Sequence, residues 1–198
     1  MLKIGLTGSI ATGKSTVLNH IAALGIPVFS SDEAVHRLYA GAAVEPIERL
    51  FPGVTAAGRV DRDRLSAELL KAPTRLAELE ALVHPMVRNE VTYFFKAEEG
   101  RGAPLAVVDV PLLFERGFDY GLDAVIVTTV DEAIQRERAL ARPGMSVEKL
   151  DAILARQMPQ ADKRARADHV IDTSGSIEST QGAITALMAR LKADPRAQ

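Results

Sequence analysis

Eight residues near the start of the chain, Gly8-Ser9-Ile10-Ala11-Thr12-Gly13-Lys14-Ser15, have the types and spacing needed to hold a chain of phosphates. In the pattern Gly-x4-Gly-Lys-Ser, the two glycines let successive backbone N–H groups turn inward around an anion. The helix expected to follow directs the positive end of its dipole at the same anion. Lys14 then reaches β- and γ-phosphates, and the Ser15 hydroxyl is suited to Mg²⁺. The chemistry implied is phosphoryl transfer from a nucleoside triphosphate. A simple glycine turn between a strand and a helix is the bland alternative, and chance alone produces the full pattern in under roughly 1% of chains this long.

Phosphoryl transfer depends on positioning and charge neutralisation, with one carboxylate to orient or deprotonate the attacking hydroxyl. Asp32 is the candidate, just past the second expected strand, where ligands of open α/β sheets collect. It also suits the helix N-terminus it stands on, and the two roles are compatible. Asp109 ends an apolar strand in Val108-Asp109-Val110-Pro111-Leu112-Leu113-Phe114-Glu115, so it either holds a Mg²⁺ shell or caps a turn. Glu115 reads equally as functional or as solvent-facing. His36, four residues after Asp32, and His84, before Pro85, are more readily packed or solvated than functional. Gln135, Arg138 and Arg142 share one helix face, which is either a lid over the phosphates or a solvated basic stripe. Arg136 lies off that stripe and reads as exposed; Lys163, Arg164 and Arg166 read as solvated surface.

Guanine-specific switches normally carry Asn-Lys-x-Asp, which does not occur here. Asp172-Thr173-Ser174-Gly175 matches the Asp-x-x-Gly of such switches, but its place near the C-terminus makes the match a coincidence.

These residues must be positioned by a parallel sheet. Leu2 to Thr7, Ile26 to Phe29, Leu105 to Val110, Ala124 to Val130 and His169 to Asp172 read as strands, several continuously apolar. Helices between them imply right-handed crossovers and helical layers on both faces. Ser30 and Glu33 have capping-box spacing for a helix start. Residues 32–100 show no further strand and a long apolar periodicity interrupted by Pro85, which predicts a kink or a division there. Helices are expected at about 131–142, 146–157 and 176–192.

The chain has 198 residues, 47% hydrophobic and 25% charged, with net charge −2 and no cysteine. Disulfides and thiolate metal sites are excluded, and nothing in the balance asks for nucleic acid or an anionic membrane. No apolar stretch approaches the roughly 20 residues of a membrane span. The first strand begins at once, without a charged leader or cleavage site, so a cytoplasmic location is expected.

Read together, Ile4-Gly5-Leu6-Thr7-Gly8-Ser9 through Val17, Asp32-x-x-x-His36-x-Leu38, Leu82-Val83-His84-Pro85, Asp109-Val110-Pro111-Leu112-Leu113-Phe114-Glu115, Gln135-x-x-Arg138-x-x-x-Arg142, Gln157, Lys163 and Ala167-Asp168-His169-Val170-Ile171-Asp172 resemble the dephospho-coenzyme A kinase family. The matches run in order from residue 2 to about 175, and Asp-Val-Pro-Leu-Leu-Phe-Glu is the most particular of them. The resemblance implies a three-layer α/β/α P-loop NTPase fold with a parallel sheet of about five strands. It further implies a nucleotide-binding core (1–31, 101–134 and 165–198), a helical acceptor-binding insertion (32–100) and a short helical lid (135–164). The implied reaction is ATP-dependent phosphorylation of the ribose 3′-hydroxyl of dephospho-coenzyme A, with Mg²⁺, and no nucleic acid, membrane or obligate protein partner. Asp32, Lys14, Arg138 and Arg142 would be catalytic. Gly8, Ala11, Thr12, Gly13, Lys14, Ser15, Thr16 and Arg142 would bind ATP. Asp32, His36, His84, Asp109 and Leu112 would bind the acceptor, and Ser15 and Asp109 the metal. The chain departs from the family at Ser9 and Ala11, where glycine is usual, at Ser30, where an aspartate is frequent, and at Thr173, where asparagine is frequent. The last departure leaves open how the adenine edge is read.

Overall fold

Apolar runs at the chain start and in its second half become the strands of one sheet, in a computed structural model that describes residues 1–197. The elements, in order, are β1 (Leu2–Gly8), α1 (Lys14–Ala23), β2 (Val28–Ser30), α2 (Ser31–Leu38), α3 (Val44–Leu50), β3 (Thr55–Ala56), β4 (Arg59–Val60), α4 (Arg62–Lys71) and α5 (Leu76–Gly100). They continue with β5 (Leu105–Asp109), α6 (Leu113–Arg116), β6 (Ala124–Thr129), α7 (Glu132–Leu140), α8 (Val147–Leu154), α9 (Gln160–Ala165), β7 (His169–Asp172) and α10 (Ile177–Lys192). Five strands form a parallel α/β sheet in the order β2-β5-β1-β6-β7.

The chain divides into two units, Met1–Phe29 with Phe95–Gln198, and Ser30–Phe94. In the first, Leu2, Ile4 and Leu6 of β1 lie at the centre of an apolar core. Val107 and Ile126 join them from neighbouring strands, with Val17 and Ile21 of α1 and Ile184, Leu187 and Met188 of α10. A strand buried on both faces needs the continuous apolar run seen here rather than alternation.

The second unit has its own core, built on Leu38, Ile47, Phe51, Val54, Leu65, Leu79, Val83 and Val87. It differs from the sequence expectation in one respect. It contains a β3–β4 hairpin, whose turn residues Ala57 and Gly58 have φ of 50° and 74°. Both positive angles suit a two-residue hairpin turn, but Ala-Gly lacks the usual Asn-Gly or Asp-Gly signature. Of the kink or division expected at Pro85, the division does not occur, and α5 runs through it as one helix. The proline removes one N–H and crowds the preceding turn at a cost of about 3 kcal/mol. Leu79, Val83, Val87 and Val91 are each no more than 7% exposed. At about 1.5–3 kcal/mol per buried aliphatic side chain, they outweigh it.

Candidate active site

The Gly8–Ser15 segment joins the C-terminal end of β1 to α1. Gly8 is required by close approach: a Cβ there would stand 2.1 Å from Thr128 Oγ1 and 2.6 Å from Thr12 Oγ1. Those two hydroxyls bond each other at 2.7 Å, and Thr12 Oγ1 donates to the Ser9 carbonyl at 2.8 Å. Gly13 is left-handed at φ 78°, and so is Ala11 at 61°, a conformation that alanine adopts only when its surroundings enforce it. Ser30, Asp61, Asp131, Ser146 and Ser176 cap α2, α4, α7, α8 and α10 with side-chain hydrogen bonds. By contrast, α1 has no side-chain cap and no acid in its first turn. Its leading N–H groups are left for an anion.

Asp109, the last residue of β5, is buried and accepts a hydrogen bond from Lys14 Nζ. Because β5 neighbours β1, the pair forms at the same end of the sheet as the loop. The ammonium and the carboxylate are thus held beside the anion site, with the lysine available to exchange partners. Ser15 is exposed on the first turn of α1. A hydroxyl and a carboxylate are hard oxygen donors of the kind Mg²⁺ takes alongside phosphate and water, so the residues present fit that ion.

A cavity of about 300 Å³ is lined by Gly13, Thr16, Arg138, Arg142, Thr173 and Ile177, among others. Arg138 of α7 donates to the Thr173 carbonyl at 2.9 Å and to its hydroxyl at 3.2 Å. That hydroxyl lies 3.1 Å and 3.2 Å from the Thr12 and Thr129 carbonyls, so it faces the loop backbone. Arg142 is exposed on the cavity wall. The predicted arginine face is therefore at the phosphate loop, but Gln135 is not part of its exposed surface, being only 3% exposed. Thr173 and Gly175 line the cavity from the segment that reads in sequence as a chance switch motif, and Ile177 and Thr180 from the start of α10. An isoleucine 62% exposed at the start of α10 is the signal that a ligand-facing position leaves.

Two further expectations are corrected, and a third residue left open is placed. Lys163 is fully buried, not solvated, with its ammonium 2.8 Å from Glu115 Oε1. Glu115, which reads in sequence equally as functional or as solvent-facing, is half-buried and also accepts the Met158 N–H at 2.8 Å. Burial raises its pKa, but Lys163, the Met158 N–H and its own backbone N–H outweigh that and hold it below the ordinary 4.5. An amphipathic count misses such a lysine because its partner is 48 residues away. Arg136 is half-buried rather than exposed, and pairs with Asp151 at 2.8 Å.

The remaining candidates are placed but not gathered. Asp32 and His36 lie one turn apart on α2, both exposed, and Ser30 Oγ accepts the Glu33 N–H at 3.3 Å, as the cap spacing predicts. His84 is half-buried on α5. All three belong to the second unit. Leu112 belongs to the first and is left-handed at φ 55°, a strained conformation for a leucine, at the start of α6.

The dephospho-CoA kinase family profile matches residues 2–179. A dephospho-CoA kinase of Rhizobium meliloti (strain 1021) is 49% identical over 193 residues, covering 98% of this chain and 100% of that protein. One from Rhodopseudomonas palustris (strain ATCC BAA-98 / CGA009) is 50% identical over 196 residues, covering 99% and 98%. The structure of a dephospho-CoA kinase from Campylobacter jejuni shares the fold, with a TM-score of 0.70 at 22% identity over 96% of both chains. Since the family profile and relatives near half identical both run over nearly the whole chain, it belongs to the dephospho-CoA kinase family, whose reaction is ATP-dependent phosphorylation of dephospho-CoA in coenzyme A biosynthesis.

Proposed function

We propose that Asp32, Lys14, Arg138 and Arg142 carry that reaction in this chain, and that its site is the ribose 3′-hydroxyl, giving coenzyme A and ADP. The observation that supports this most directly is convergence. Gly13 and Thr16 at an uncapped helix start share one cavity with Arg138 and Arg142, and the lysine beside them is held by a carboxylate it can leave. Segments 1–31, 101–134 and 165–198 form the nucleotide core in this reading, 32–100 receives the acceptor, and 135–164 closes as a lid.

The residues act as follows. The loop amides and the start of α1 bind the phosphates, and Lys14 transfers its ammonium from Asp109 to them. Ser15 and Asp109 would hold Mg²⁺, which when bound supplies charge neutralisation on the phosphates. Asp32 takes the proton of the 3′-hydroxyl while that oxygen bonds to the γ-phosphorus and the bond to the β–γ bridging oxygen breaks. Arg138 and Arg142 neutralise the charge on the moving group and exclude water. His36, His84 and Leu112 belong to acceptor binding.

The test is a coupled ADP-release assay with Mg·ATP and dephospho-CoA, nucleoside monophosphates, or no acceptor. Release should require dephospho-CoA and fall by roughly 10²–10⁴-fold in Asp32→Asn, the usual contribution of a positioned general base. A wild-type rate in Asp32→Asn removes that residue from the chemistry. Turnover with a nucleoside monophosphate alone removes the acceptor assignment.

A further inference from the structure

Ile10 lies in the first half of the phosphate loop, and both of its backbone polar groups are taken by side chains from distant parts of the chain. Its N–H donates to Gln157 Oε1 at 2.9 Å, and its carbonyl accepts Gln135 Nε2 at 2.7 Å. The relay continues: Gln135 Oε1 accepts Gln160 Nε2 at 2.9 Å. Gln160 in turn closes on the end of β6, accepting the Val130 N–H at 3.0 Å and donating to the Val130 carbonyl at 3.2 Å. Backbone partners fix the orientation of all three amides, because an N–H can only donate and a carbonyl can only accept.

The residue next to Ile10 is Ala11, left-handed at φ 61°. Such a conformation persists where its surroundings over-determine it. Apolar packing supplies part of that restraint, since Ala11 belongs to a small cluster with Ala139 of α7 and Leu150 of α8. The amides supply directional restraint that packing does not. Arg138 is three residues beyond Gln135 on α7, so the hydrogen bond that holds Gln135 also sets the height of Arg138 beside the loop.

We propose that Gln135 and Gln157 are positioning residues that hold the phosphate loop in its ATP-binding shape through the two polar groups of Ile10, anchored by Gln160 to the end of β6. This rests on reading residues 8–16 as the phosphate site. Neither glutamine is assigned contact with ATP or acceptor.

The experiment is steady-state kinetics on the full chain, with separate KM values for ATP and dephospho-CoA, for Gln157→Leu, Gln157→Glu, Gln135→Leu, Gln135→Glu and Lys14→Ala. Gln157→Leu should raise the ATP KM roughly tenfold, the equivalent of one unpaired buried amide, and leave the acceptor KM within about twofold. Gln157→Glu should restore ATP KM to within about threefold of wild type, because a carboxylate oxygen still accepts the Ile10 N–H. Gln135→Glu should be as impaired as Gln135→Leu, because a carboxylate cannot donate to the Ile10 carbonyl. A wild-type ATP KM in Gln157→Leu, or an equal rise in both KM values, overturns the proposal. Should Gln157→Leu fail to fold, Gln157→Glu and Gln135→Glu decide it: equal ATP KM values overturn it. Lys14→Ala separates the two readings. Unchanged ATP affinity there removes the phosphate site and the relay with it, whereas loss there with a normal Gln157→Leu removes the relay alone.

Discussion

The two units bury different things. Beneath the phosphate loop the interior of the first unit is polar in places, with Thr7, Thr12, Asp109, Thr128, Gln135, Lys163 and Thr173 all buried. In the second unit Ser31 is the one buried polar residue among the described residues, and the core is otherwise aliphatic and aromatic. A buried polar group left unpaired costs about 1–3 kcal/mol, so the first arrangement survives by closing nearly every bond. Thr12 meets Thr128, Thr173 meets two carbonyls, and Lys14 meets Asp109, while the Thr7 hydroxyl is buried without a partner. A region that must present fixed donors to a polyanion uses directional bonds that stabilise little but orient strongly. A region built as a scaffold uses apolar burial, which stabilises more and orients less.

That contrast can be broken in several ways. The largest effect on stability is expected in the second unit. Phe51→Ala, at a side chain 1% exposed and stacked under Arg75, should cost about 3–5 kcal/mol in urea denaturation. ADP affinity, titrated well below the melting temperature, should stay within about twofold if scaffold and phosphate site are separable; a proportionate loss of affinity would show that they are not.

In the first unit Lys163→Met should cost about 3 kcal/mol at pH 7, because it leaves the Glu115 carboxylate half-buried beside an apolar side chain. The pH dependence sharpens this. A carboxyl held below its ordinary value contributes stability that is complete above 4.5 and is lost as pH falls through the lower folded value. The wild-type advantage over Lys163→Met should therefore shrink below about pH 4.5, and Glu115→Gln should flatten the wild-type slope there. A difference that does not change with pH would mean that Lys163 acts by packing alone. The smallest effect is expected at Lys71, whose exposed pairing with Glu68 at 2.7 Å on α4 should be worth under about 0.5 kcal/mol and vanish in high salt. A Lys71→Ala loss comparable to that at Lys163 would undo the distinction between buried and solvated pairs.

Much of this was readable before any coordinates. The apolar runs that become β1, β5 and β6 are buried on both faces, and such runs have few other stable outcomes. The phosphate loop announces itself because its residues are contiguous, and the cap at Ser30 for the same reason. The errors share a cause. Lys163 looks like an ordinary polar residue of a surface segment until Glu115 is brought to it, and nothing local marks Gln157 and Gln160 as partners of Ile10 and Val130. The division of α5 that Pro85 suggests is likewise excluded only when the burial of that helix is weighed against it.

Local order therefore dictated the strands, the helices, the glycine-bearing loop after β1 and the family to which the chain belongs. Which distant groups meet at the end of the sheet was settled by strand order. Placing β1 between β5 and β6 brings Asp109 to Lys14 and Thr128 to Thr12. It also carries α7 and the segment between α8 and α9, which follow β6, to within reach of Ile10. Strand neighbours are chosen by long-range packing of mutually similar apolar faces, and the residues that benefit from the choice, 95 to 161 positions apart, carry no mark of it in the chain.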